Sequence, residues 1–146
     1  MAYEKTAVPV ARSQEAVRTL LRDAGADRVA FGEVLNGPAL SVGVEFLHNE
    51  VLVRVTCPVG EPSMSTKTTE QETRRVWRVL HWSLKARMES INEGLETFEQ
   101  AFLPHIVDPA SGRTLWQMVQ PALRDGRLAV GAGGLGGILA LGSGES

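Results

Sequence analysis

Leu40-Ser41-Val42-Gly43-Val44-Glu45-Phe46-Leu47-His48-Asn49-Glu50-Val51-Leu52-Val53-Arg54-Val55-Thr56-Cys57 is the stretch that decides the fold. Leu40, Val42, Val44 and Phe46 alternate with Ser41, Gly43 and Glu45, the period of a strand with one buried face. Val51, Val53, Val55 and Cys57 resume the alternation, with Arg54 and Thr56 on the other face. His48-Asn49-Glu50 suits a tight turn between the two runs, which together read as a hairpin. A sheet with one apolar face needs cover, and the flanking sequence supplies helices for it.

Upstream, Ser13 reads as an N-cap. Val17, Leu20, Leu21 and Ala24 follow at helical spacing, and Gly25 sits where a left-handed C-terminal residue is wanted. A helix over about 13–24 is predicted. Val29 and Phe31 suggest a further strand, ended by Asn36-Gly37-Pro38. Downstream, Pro58 to Ser65 reads as a loop, and Thr69-Glu70-Gln71-Glu72 has the form of a capping box. Val76, Leu80, Leu84, Met88, Ile91, Leu95, Phe98 and Phe102 then recur at steps of three or four, in phase to Pro104. Gly94 is the candidate break in that rod. Asp108 to Gly112 reads as a turn. Thr114-Leu115-Trp116-Gln117 is a second capping box, opening a short helix that Pro121 is expected to kink or end.

The predicted fold class is α+β: a helix, a three-stranded antiparallel sheet, a long helix packed on the sheet and a short C-terminal helix. Residues 1–126 read as a single domain. Residues 127–146 read as a Gly-rich tail, with seven glycines from Gly131 onward, expected to be mobile.

The chain has 146 residues, and 43% hydrophobic with 22% charged residues is ordinary for a soluble globular protein. Its net charge of −2 supplies no global positive field for a polyanion. A single cysteine excludes an internal disulfide framework and suits a reducing compartment. The opening Met-Ala-Tyr-Glu-Lys has no apolar run of a secretory signal, so a cytoplasmic location is expected. Gly131-Ala132-Gly133-Gly134-Leu135-Gly136 matches GxGxxG, but too few residues follow for the helix and acidic residue of a dinucleotide site. The uncharged run Leu128 to Gly144 is too short and too rich in glycine for a membrane span. Cys57 is in phase with buried valines, and neither it nor His48, His81 and His105 has catalytic or metal-ligand spacing. No catalytic residue, metal or cofactor is therefore expected.

The long helix carries the one surface that looks built for a partner. On a wheel of ~100° per residue, its apolar row centres opposite Arg75, Arg78, Trp82 and Lys85, with Arg74 and His81 flanking them. Trp77 falls with the core, and Arg87 at the edge of the apolar face. An indole set among cations suits stacking of a base with the cations on phosphates. It equally suits an anchor in a protein interface. Further along, Glu89, Glu93 and Glu96 project to the same side without cations. Two such helices laid antiparallel would match basic half to acidic half, so a homo-oligomer through those glutamates is expected.

Two stretches carry a resemblance. One is Ala2-Tyr3-Glu4-Lys5-Thr6-Ala7-Val8-Pro9-Val10 with Ser13 and Val17 to Leu21. The other is Arg74-Arg75-Val76-Trp77-Arg78, Lys85-Ala86-Arg87, Thr97-Phe98-Glu99 and Ala101-Phe102-Leu103-Pro104-His105-Ile106. Together, over about 1–60 and 70–120, they resemble a family of small proteins of tailed phages and prophages. The resemblance implies a phage accessory protein of the host cytoplasm, acting in DNA metabolism or against host defence, and assigns no residue a role. With the basic helix face, the expectation is a non-enzymatic protein binding single-stranded nucleic acid. The alternative is an oligomeric interaction protein that binds a host protein or sequesters a small nucleotide.

Overall fold

The computed structural model describes residues 8–36, 39–60 and 66–126. Helix α1 (Val10–Asp23) leads into strands β1 (Arg28–Asn36), β2 (Ala39–His48) and β3 (Val51–Pro58). Helix α2 (Thr66–Asn92), the short α3 (Phe98–Phe102), a 3-10 turn (Leu103–His105) and α4 (Leu115–Arg124) follow. The expected tail, with its GxGxxG, lies outside the described residues.

The sheet is an antiparallel meander in the order β1-β2-β3, and the fold is α+β as expected. Alternation sets its faces. Val42, Val44 and Phe46 stand opposite Cys57, Val55 and Val53. All but Cys57, which is half-buried, are buried against Val17 and Leu21 of α1 and Val76, Trp77, Leu80 and Leu84 of α2. Each such side chain removed from water contributes about 1.5–3 kcal/mol. Trp77, 1% exposed, meets Phe31 edge-on at 5.4 Å, and Phe102 meets Phe46 at 5.5 Å. The expected turn between β2 and β3 places both Asn49 (φ 48°) and Glu50 (φ 66°) in the left-handed region, matching the twist of the strands. His48 stacks on Phe98 at 3.9 Å and its Nε2–H donates to the Ala24 carbonyl at 3.2 Å, joining the hairpin to the ends of two helices.

Helix boundaries differ from expectation in three places. α1 begins a turn early: Pro9 holds the N-cap position without a side-chain bond, and its carbonyl accepts from Arg12 and Ser13. Ser13 is therefore not a cap but a fully buried residue, its hydroxyl without a partner among the described residues. Thr69 likewise lies inside α2, where its carbonyl accepts from Thr73 Oγ1 at 2.7 Å. Pro121 does not end α4. It has no N–H for the Gln117 carbonyl, and Arg113 Nη2 donates to that oxygen instead, at 2.7 Å.

Gly25 (φ 96°) closes α1 as expected, in a Schellman turn, with Ala26 N–H bonded to Leu21 O and Gly25 N–H to Arg22 O. Whether the rod is continuous was open in the sequence; Gly94 (φ 78°) breaks it in the same way, through Leu95 N–H to Ser90 O and Gly94 N–H to Ile91 O. Leu95, in phase with the core by sequence, is consequently 82% exposed. α3 then returns under its own Thr97–Gln100 capping box to bury Phe102. Beyond it, Val107 N–H donates to Leu52 O, so the outer edge of β3 is partly closed, while among the described residues no strand pairs with the outer edge of β1.

Candidate binding surface

The residues of the basic stripe are one helical face by construction: 75, 78, 82 and 85 are separated by three or four positions. The indole of Trp82 is 38% exposed on the side of α2 away from the sheet. Lys85 Nζ stands 4.6 Å from its ring centroid and the Arg78 guanidinium 5.4 Å, so the cations engage the ring rather than merely flank it. Neither has an acidic partner within ion-pair distance among the described residues. Arg75 is different. The Glu72 carboxylate holds it in a two-pronged bond at about 3.0 Å, so its charge is largely matched on the helix itself. Arg74 is half-buried beside it.

His81 completes the face. Burial first, and then the charges of Arg78 and Lys85, hold its pKa below the usual 6.5. Its Nδ1 is buried with no partner among the described residues. His81 and Lys85 also form one wall of a groove between α1 and α2, of about 440 Å³, with Arg12, Glu15 and Asp23 on the other. The wheel pointed to Trp82 and its cations because they share a helix. It gave no sign of the groove, which joins residues some 70 positions apart.

The acidic half is divided. Glu89 is exposed on the last turns of α2, but Glu93 follows the last helical residue and Glu96 lies beyond the break at Gly94. The three expected interface glutamates therefore do not continue the helical stripe as drawn from the sequence. Glu96 instead acts on Arg87, whose pKa burial lowers and Glu96 partly restores. Arg87 is half-buried over Phe102, donating to Ser83 Oγ at 3.2 Å and to His105 Nε2 at 3.5 Å.

Cys57 is half-buried, its thiol pushed up by burial and drawn back in part by Arg75. Among the described residues there is no group of three or more His, Cys, Asp or Glu arranged to hold a metal. Nor is any described helix long and apolar enough to cross a membrane. No protein-family model, curated protein or solved structure matches the chain.

Proposed function

We propose that this chain is a non-enzymatic, phage-type accessory protein that holds single-stranded nucleic acid on the outer face of α2. The observation that carries this reading is the exposed Trp82 indole with Arg78 and Lys85 over its ring and, among the described residues, no acidic group paired to either. A base has a flat π-face that stacks on an indole whatever its identity, and the two cations then move from ring to phosphates. Arg74 and Arg75 extend the track toward the start of α2. The chain's net charge of −2 makes this a local patch and not a steering field, so binding is modest and depends on the stack.

Titration with a labelled poly-dT oligonucleotide tests the reading. Contact with about three phosphates gives an affinity that falls about twentyfold between about 50 and about 200 mM salt. Trp82→Ala weakens binding roughly ten- to hundredfold, the worth of one stacked base. Full affinity in that variant, or an affinity indifferent to salt, overturns the proposal.

The groove between α1 and α2 favours a second reading, sequestration of a small nucleotide, because Arg12, His81 and Lys85 line it beside the same indole. A mononucleotide that binds as tightly as an oligonucleotide selects that reading.

A further inference from the structure

Arg78, His81 and Lys85 follow one another along α2 at steps of three and four, so they share one face. The middle one is the member whose charge changes near neutral pH. The His81 ring lies 5.8 Å from the Trp82 indole, centroid to centroid, and borders the platform that Arg78 and Lys85 cover. Its Nδ1 is buried without a partner among the described residues, which leaves Nε2 as the nitrogen to meet a ligand. Across the groove, α1 presents Arg12, Glu15 and Asp23. Arg18 holds Glu15 at 2.6 Å, and Arg12 and Asp23 are of opposite sign, so α1 sets no net charge against the imidazole. Burial, and then the two cations of its own helix, keep the ring mostly uncharged at pH 7 when no strand is bound.

We propose that His81 is a further phosphate-binding residue of this face, one that takes up a proton as a single strand docks. The inference rests on the nucleic-acid reading of α2 given above. A phosphodiester lying between Arg78 and Lys85 cancels the repulsion that those cations exert on a charged imidazole, and adds an attraction of its own. Both changes favour the imidazolium, which donates Nε2–H to a phosphate oxygen in a charge-assisted bond. The bound chain thus holds more protons than the free one. Linkage then gives the sign: affinity rises as pH falls through the range between the free and the bound pKa, and is level below the first and above the second. A phosphodiester has no ionisation near neutral pH and thymine has none on the acid side of it, so with a poly-dT strand the proton goes to the protein. His48 and His105 stand away from the face, against Phe98 and Arg87 respectively.

Titration of the full chain with labelled poly-dT at constant salt tests the inference. The dissociation constant should fall about three- to tenfold from about pH 7.5 to about pH 5.5, a range that spans the ordinary histidine value of about 6.5. Calorimetry of the natural chain at about pH 6.5, in two buffers of different ionisation enthalpy, should find up to about one proton taken up per bound chain. In His81→Gln the uptake disappears and the dissociation constant varies less than about 1.5-fold over the same range, whereas His105→Asn retains both effects. No uptake by the natural chain, with binding that still falls with salt and still needs Trp82, overturns this inference and leaves the nucleic-acid reading standing. Uptake that persists in His81→Gln overturns it equally. No binding of poly-dT at any pH overturns both.

Discussion

At Gly43 a hydrogen stands where other residues carry a carbon. A Cβ there would lie 2.8 Å from the Val55 carbonyl oxygen and 2.9 Å from Thr56 Cγ2, both on the neighbouring strand. Backbone cannot yield as a side-chain tip does, so Gly43→Ala is expected to cost about 1–3 kcal/mol, read as a lower urea midpoint at unchanged slope. The alternation of the hairpin gives Gly43 its face but says nothing of this crowding, which comes from the approach of β3. His105 makes a second prediction. Burial, and then Arg87, hold its pKa below the usual 6.5. The unfolded chain therefore binds that proton more readily than the folded one. The corresponding stability is complete above about pH 6.5 and is lost as pH falls through the lower folded value. Protonation also ends acceptance of the Arg87 bond at Nε2. Urea midpoints should thus drop between about pH 7.5 and 5.5, and His105→Asn should reduce the drop, with the lowered His81 supplying the remainder.

Among the elements, two Thr-x-x-Glu/Gln patterns look alike in sequence and behave differently. Thr114 is a true cap because Gly112 (φ 73°) and the Asp108 turn before it forbid helix, and both halves of its box form. Thr69 follows Thr66, Lys67 and Thr68, none of which resists helix, so α2 starts upstream and Glu72 turns to Arg75. What precedes the motif decides it. Thr114→Ala should cost about 1 kcal/mol and be visible first as loss of α4 helicity. Arg113 and Pro121 form a coupled pair through the Gln117 carbonyl. Arg113→Ala should destabilise the natural chain by about 0.5–1 kcal/mol and have little effect beside Pro121→Ala, where the backbone N–H returns; a double-mutant cycle reads the difference. Gly94 was legible only as a possible break: a glycine in a long apolar row admits a left-handed turn at little cost but does not require one. The return of Phe98 and Phe102 to the core depended on that turn, and periodicity alone placed them on a continuous rod.

In the whole molecule, legibility followed the distance over which each feature is built. The sheet, α1, α2 and the Trp82 face rest on periods of two and 3.6 residues and were readable. The groove between α1 and α2, the Arg87–His105–Phe102 contact and the tether of Arg54 Nη1 to the Gly112 carbonyl join distant parts of the chain and were not. That tether, the Val107–Leu52 bond and the Leu115–Ile106 bond are among the contacts that hold residues 107–124 to the body of the molecule. Native-state hydrogen exchange should accordingly find α4 amides opening at a smaller free energy than those of β2 and α2, as a unit.

Such ties make the C-terminal arm a flap on a stiff plate. A protease that cuts in the Asp108–Gly112 turn severs the arm from the hydrophobic layer without entering it. Limited digestion should leave a resistant body ending near residue 108 and a liberated arm, and anything gripped by the flap would be let go while the plate stays intact.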